Sequence, residues 1–174
     1  MTITLRDAVA ADVPAMTAIY AHHVLHGTGT FEEDPPDAGD IAARMAKVQD
    51  GGHAWLVAEE DGLILGYGYF APFRPRSAYR FTAEDSVYIR DDIRGQGVGK
   101  ALVAELLRRA EAMGIRQMVA VIGDSDNVGS IGLHISLGFR QVGVLKAVGM
   151  KFGRWVDVVQ MQKALGEGEK TLPD

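Results

Sequence analysis

Residues 87–100, Val-Tyr-Ile-Arg-Asp-Asp-Ile-Arg-Gly-Gln-Gly-Val-Gly-Lys, constrain the fold more than any other stretch of the chain. A β-branched apolar run enters a turn with glycine at 95, 97 and 99. A long amphipathic pattern leaves it, with Leu102, Val103, Leu106, Leu107 and Ala110 on one side. A strand that passes through a glycine turn straight into a helix requires a layered α/β arrangement, because each element must bury its apolar face against another. The turn also sets free N–H groups and the positive end of a helix dipole beside backbone that a ligand can approach closely. A phosphate-bearing ligand is implied. Two common phosphate loops do not fit. A P-loop needs glycine where Arg94 stands and Ser or Thr where Ala101 stands. The dinucleotide fingerprint needs its third glycine at Lys100 and normally follows the first strand of its unit.

The remaining residues supply the partners such a unit needs. Alternation over 2–6 reads as a half-buried strand. Asp12 is placed to cap a helix running to about Leu25, with Val13, Met16, Ile19, Tyr20 and Val24 as its stripe and Gly27 as its stop. A second helix is expected over 37–49, carrying Ile41, Met45 and Val48 and ended by Gly51-Gly52. Strands follow at 54–59 and 63–71, joined by a tight turn at Asp61-Gly62, and at 82–89. After the helix over 99–113, ended by Gly114, come a strand at 118–122 expected to be buried on both faces, a helix at 130–137 ended by Gly138, and strands at 139–145 and 155–165. A polar tail from 166 is expected to fray. The order β-α-α-β-β-β-α-β-α-β-β describes one α/β domain with a mixed sheet over 1–166, followed by a tail over 167–174.

Composition narrows the functional classes. A chain of 174 residues, 47% hydrophobic and 24% charged, can bury one sizeable core. With 18 basic against 23 acidic residues its net charge of −5 argues against a broad nucleic-acid footprint. The longest run free of charged and histidine side chains, 63–73, is too short to span a bilayer, and the first residues lack the basic-then-apolar start of a signal peptide. A cytoplasmic protein with no membrane partner is expected. The absence of cysteine excludes disulfides, Cys-ligated metal and a thiol nucleophile, and suits a reducing compartment.

The segment Arg94-Gly-Gln-Gly97-Val-Gly99 matches the Arg/Gln-x-x-Gly-x-Gly/Ala signature of the GNAT acyltransferases, and the element order resembles that fold. Thr82-Ala-Glu-Asp-Ser-Val-Tyr-Ile89, Asn127-Val-Gly-Ser-Ile-Gly-Leu-His-Ile-Ser-Leu-Gly-Phe139 and Gly149-Met-Lys-Phe-Gly-Arg-Trp-Val-Asp157 resemble the phosphinothricin and methionine sulfoximine or sulfone N-acetyltransferases, over nearly the whole chain. That resemblance implies acetyl-CoA as co-substrate, no metal, and direct attack of a small amino acid's α-amino group on the thioester. It implies backbone contacts from Val87, Tyr88 and Ile89 to the pantetheine arm. Arg94, Gly95, Gln96, Gly97, Val98, Gly99 and Lys100 would hold the pyrophosphate, and Asn127 and Ser136 would touch the cofactor farther along. Glu84 and His134 match the family's acid/base pair, His134 sharing proton movement or orienting Glu84. Substrate contacts are implied at Phe31, Phe73, Arg74, Pro75, Arg76, Tyr79, Glu84, Asp85 and Ser86, and a homodimer is implied as well. The loop at 123–127 is slightly longer than the family's form.

Chemistry supports those roles without deciding them. An α-amino group with a pKa of about 7.7–8.0 is roughly 10–20% free amine at pH 7, so a carboxylate need capture only one proton. Arginine binds carboxylate bidentately, so Arg74 and Arg76 suit an amino acid and repel cationic amines. The plainer readings are a solvated Glu84, a core His134 and a solvated basic loop at 73–76. His22 and His26 are spaced to share a metal with Glu32 or Glu33, a reading disfavoured because helical histidines near a helix end usually serve the dipole or solvent. Trp155, Val156 and Val158 read as core or dimer contacts, with 151–157 able to approach a partner's site. Rival functions are acetylation of a protein N-terminus, polyamine or aminoglycoside, a non-catalytic acyl-CoA-binding module, and a nucleotide-binding protein. Gly95, Gly97 and Gly99 are the glycines that turns and helix stops leave for a ligand to explain.

Overall fold

The computed structural model describes residues 2–173. Met1 and Asp174, the outer ends of the expected domain and tail, lie outside the described residues. The elements run β1 (Thr4–Asp7), α1 (Val13–His26), α2 (Ala38–Asp50), β2 (Trp55–Glu60), β3 (Leu63–Pro72), β4 (Thr82–Ile89), α3 (Val98–Ala112), β5 (Gln117–Gly123), α4 (Val128–Ser136), β6 (Arg140–Lys151) and β7 (Arg154–Ala164). The strands form one sheet in the order β1-β2-β3-β4-β5-β7-β6. Among the described residues only β4 and β5 pair in parallel, across α3, and every other neighbour pairs antiparallel.

Period-two alternation divides the core between the two faces of the sheet. Leu56, Ala58, Phe70, Ala83, Met118 and Ala120 face α3, where Leu102, Val103 and Leu106 complete one cluster. Trp55, Val57, Tyr67 and Tyr88 face α1 and α2, packing on Met16, Ile19, Tyr20 and Ile41. Burying each large apolar side chain stabilises the fold by roughly 1.5–3 kcal/mol. Asp61 and Gly62, at φ +50° and +80°, make the tight β2–β3 turn that Asp-Gly favours.

Several expectations are corrected. Asp12 does not cap α1: its carboxylate accepts from Arg6 Nη1 at 2.7 Å, Arg6 Nη2 at 2.8 Å and the Val9 N–H at 2.8 Å, because the cation on β1 is the stronger partner. The strand expected at 139–145 extends to Lys151, because two register shifts absorb extra residues and Asp157 accepts from the Ala147 N–H and Lys146 Nζ, pinning the bulge. The helix expected from 130 begins at Val128, with Asn127 as its cap. β5 is not buried on both faces, since Val121 is exposed, and Trp155 is 68% exposed and belongs to no core. The tail is tied rather than frayed at 168–171, where Arg116 Nη1 donates to the Gly168 carbonyl and Thr171 Oγ1.

Candidate functional site

The site begins where two strands part. β4 and β5 are in register from Thr82 with Gln117 to Asp85 with Ala120, and pairing stops there although both strands continue. On the other side β4 stays paired with β3 to Ile89. The Phe73 N–H donates to the Thr82 carbonyl and the Arg90 N–H to the Leu65 carbonyl. Antiparallel alternation therefore turns the backbone groups of Glu84, Ser86 and Tyr88 toward β3, and those of Asp85, Val87 and Ile89 toward β5. Beyond the fork the latter have no strand to meet. His23 Nε2 donates to the Ile89 carbonyl at 2.8 Å, leaving the Ile89 N–H and both Val87 groups facing a cleft of about 760 Å³. Tyr88 thus lines the cleft without free backbone groups, its ring packed edge-on against Tyr20 on the opposite face.

The Gly-rich turn closes the outer end. Gly95 and Gly97 have φ of +77° and +87°, and a Cβ on either would meet nothing within 4 Å, so conformation alone demands glycine. Gly97 occupies the N-cap of α3 without a side-chain cap, and the first turn carries no acid. The first-turn N–H groups of Val98, Gly99 and Lys100 precede the first intrahelical donor, Ala101, so they and the helix dipole remain available to an anion. Arg94 and Lys100 line the same end. Gly99 is different: a Cβ there would lie 2.7 Å from Leu133 Cδ1 and 3.5 Å from Ile89 Cγ1, so packing of α3 on α4 and β4 explains it without a ligand. Gln96 is exposed and does not line the cleft.

α4 and the loop before it form the far wall. Asn127 Oδ1 accepts from the Ser130 N–H at 3.2 Å, and Ser136 Oγ donates to the Leu133 carbonyl at 2.7 Å; both residues line the cleft. His134 is buried, and its two ring nitrogens meet the Ser130 carbonyl at 2.8 Å and Asp85 Oδ2 at 3.0 Å. The expectation that His134 orients Glu84 is therefore corrected, since alternation puts Asp85 on the α4 face and Glu84 on the other. Asp85 is correspondingly buried. Burial pushes the His134 pKa down, but the hydrogen bond and charge of Asp85 outweigh it and leave the imidazole raised.

Glu84 is half-buried on the α1/α2 face and is absent from the cleft lining. Burial raises its pKa, opposed by the positive charge of Arg74. Arg74 lies over the Phe73 ring at 4.5 Å, and Phe73 meets Tyr79 edge-on at 5.7 Å, so the exposed 73–79 loop is organised around this aromatic pair. Pro75 and Arg76 are exposed beside them. Phe31 is seated on glycines: a Cβ at Gly149 would lie 2.2 Å from its ring. The His22 and His26 rings lie 4.8 Å apart, but His22 Nε2 faces Asp91 at 3.6 Å and Glu32 pairs with Arg44 at 2.7 Å rather than joining them. Among the described residues no helix is long and apolar enough to cross a membrane.

Sequence reasoning missed His23, Thr28 and Asp124. Thr28 Oγ1 donates to Asp124 Oδ2 at 2.8 Å, and Arg154 donates to the same oxygen, tying the α1–α2 loop to the end of β5 at the cleft's edge. No local motif marks them.

Residues 16–139 match the family model described as Acetyltransferase (GNAT) family. The phosphinothricin N-acetyltransferase of Alcaligenes faecalis is 58% identical over 163 residues, covering 94% of this chain and 83% of that protein. The L-methionine sulfoximine/L-methionine sulfone acetyltransferase of Pseudomonas aeruginosa is 43% identical over 93% of this chain and 94% of its own length. The crystal structure of a GNAT superfamily phosphinothricin acetyltransferase from Sinorhizobium meliloti in complex with acetyl-CoA superposes with a TM-score of 0.97 at 48% identity, covering 100% of this chain and 94% of that one.

Proposed function

The chain belongs to the GNAT acetyltransferase family, and on that premise we propose that it acetylates the α-amino group of a small amino acid of the phosphinothricin, methionine sulfoximine or methionine sulfone type, using acetyl-CoA. The observation that carries this reading is the β4–β5 fork. It offers free backbone groups at Val87 and Ile89 in line with an uncapped helix start, which suits a ligand with an amide-bearing arm and a pyrophosphate. Val87 and Ile89 hold the arm, and the Val87 N–H is available to polarise an acyl oxygen. Gly95, Gly97 and the first turn of α3 hold the pyrophosphate with Arg94 and Lys100, while Asn127 and Ser136 complete the wall. Bound acetyl-CoA supplies the activated acetyl group as a thioester.

On the other face of β4, Arg74 and Arg76 take the amino acid's carboxylate, with Phe31, Phe73 and Tyr79 as apolar walls. Glu84 takes the ammonium proton, directly or through water, and its half-buried setting strengthens it as a base. His134 serves as the acid. The test is acetyl-CoA turnover on a panel of amino-acid, polyamine and aminoglycoside amines. Wild type should favour the amino-acid sulfones and phosphinothricin, and Glu84→Gln should lose about 10²-fold or more in kcat. Undiminished turnover in that variant would remove Glu84 as the base.

The reading includes a cytoplasmic homodimer. Val148, Met150, Phe152 and Trp155 are each more than half exposed at the β6–β7 tip, an apolar surface suited to a second copy of this chain. Light scattering should give a dimer for wild type and a monomer for Trp155→Glu; a monomeric wild type refutes the assembly.

A further inference from the structure

We propose that Asp85 is the positioning residue for His134: from the fork of the cleft it fixes the ring through Nε2 and keeps a second proton on the pair, which is the proton source for the sulfur released when the acetyl group moves. This rests on the acetyl-transfer reading, in which His134 is the acid. It adds the residue that loads that acid, and it gives the carboxylate following Glu84 a role apart from the amino-acid substrate.

The hydrogen bonds fix the proton count. His134 Nδ1 lies 2.8 Å from the Ser130 carbonyl oxygen, which can only accept, so Nδ1 carries a hydrogen. Nε2 then has a lone pair unless a second proton is present, and it lies 3.0 Å from Asp85 Oδ2. Two lone pairs do not settle at hydrogen-bond distance, so the pair shares a proton. The side chains are 4% and 1% exposed, which leaves the proton to the pair itself. Asp85 Oδ1 is buried and has no hydrogen-bond partner among the described residues, although Asp85 and His134 both line the cleft. An orphaned carboxylate oxygen beside a ligand cleft is costly, and it leaves the Asp85 carboxylate dependent on its one side-chain partner, His134.

The surroundings leave Asp85 in control. The Phe139 ring stands edge-on to His134 at 4.9 Å and carries no charge. Asp124 is turned to Thr28 and Arg154. Lys163 of β7 approaches α4 at Gly138, past its C-terminal end. Arg94 and Lys100 line the cleft beside the glycine turn. Glu84 points to the other face of the sheet. The charges that act on His134 reduce to that of Asp85, whose hydrogen bond and negative charge offset burial. In the transfer the carbon–sulfur bond breaks, its electron pair stays on sulfur, and sulfur takes one proton from the Asp85–His134 pair, both of whose residues line the cleft. Neutral imidazole is left beside the Asp85 carboxylate, and a solvent proton reloads it.

The test uses the full chain in three forms: wild type, Asp85→Asn and Asp85→Glu. Nitrogen-15 NMR of the histidine rings, without substrate, should show His134 protonated on both nitrogens at pH 7 in wild type. Its titration should fall below the ordinary value in Asp85→Asn and rise again in Asp85→Glu. With substrates, Asp85→Asn should lower kcat at pH 8 about tenfold and move the alkaline fall of kcat to lower pH, while KM for acetyl-CoA stays within about twofold. A neutral His134 in wild type at pH 7 overturns the proposal whether or not the variants fold, and so does an unmoved titration or kcat profile in Asp85→Asn. If no amine on the panel is acetylated, the acetyl-transfer reading fails, while the NMR titration still decides whether Asp85 holds the proton.

Discussion

Substituting alanine at Gly97 separates the conformational demand of the glycine turn from the packing demand at Gly99, whose backbone N–H an alanine would keep. Gly97 sits at φ +87° and ψ −5° as the N-cap of α3, with open space around the missing side chain. Alanine there meets no clash, so its cost is backbone strain of about 1–2 kcal/mol. In a chain of this length that lowers Tm by about 2–8 °C. Relaxing the strain rotates the peptide units that aim N–H groups at the anion, and losing one or two hydrogen bonds to a charged group costs about 1.5–3 kcal/mol each. Coenzyme A should therefore bind at least about tenfold more weakly by calorimetry. Gly99→Ala is the control. Its Cβ meets the flexible end of Leu133 at 2.7 Å, so repacking between α3 and α4 should lower Tm while coenzyme A affinity stays within about threefold. The reasoning is refuted if Gly97→Ala melts early yet binds coenzyme A like wild type, or if the two variants weaken binding equally.

Removing the Arg74 charge should act twice. Arg74→Gln should raise KM for the amino acid about tenfold. Because Arg74 holds the Glu84 carboxyl down, the acid limb of kcat/KM should also move to higher pH; a limb that stays in place or moves lower shows that Arg74 does not reach Glu84. His134 makes a stability prediction of the opposite sense. Its folded pKa lies above the ordinary 6.5, so its contribution is complete below that value and is lost as pH rises through the folded pKa. Thermal melts should show wild type losing its advantage over Asp85→Asn above neutrality, and a constant gap across pH 6–9 contradicts the raised pKa.

The elements were legible where local pattern decides them. The strand at 82–89 and the Asp61-Gly62 turn depend on alternation and on glycine's tolerance of positive φ, both written in neighbouring residues. β6 outruns the pattern over 139–145 because its bulge is held by Asp157, a residue on the adjacent strand that no window over 139–145 contains. The cap assigned to Asp12 failed for the same reason, since Arg6 competes for it from another element. In the site, the glycine turn was readable as an anion cradle, but the division between Gly97 and Gly99 was not, because it depends on how closely α4 packs on α3. The Asp85–His134 contact joins residues 49 positions apart and carries no periodic signal.

The alternation of a single strand organises the proposed chemistry. Successive residues of β4 point to opposite faces, so Glu84 stands with the arginine loop while Asp85 stands with α4 and the cleft. The base for the incoming amine and the residue that loads the acid are thus neighbours in sequence on opposite faces, and the Asp85 charge still helps to raise the Glu84 pKa. The sheet lies between them, and Asp85 has its own counter-charge in His134. Backbone completes the division: Val87 and Ile89 turn their peptide groups into the fork, whereas those of Glu84 and Ser86 stay bound to β3 and keep the base's strand rigid. One parity choice along β4 thus sets base, acid and backbone donors together. A one-residue register slip against β3 would exchange all three at once.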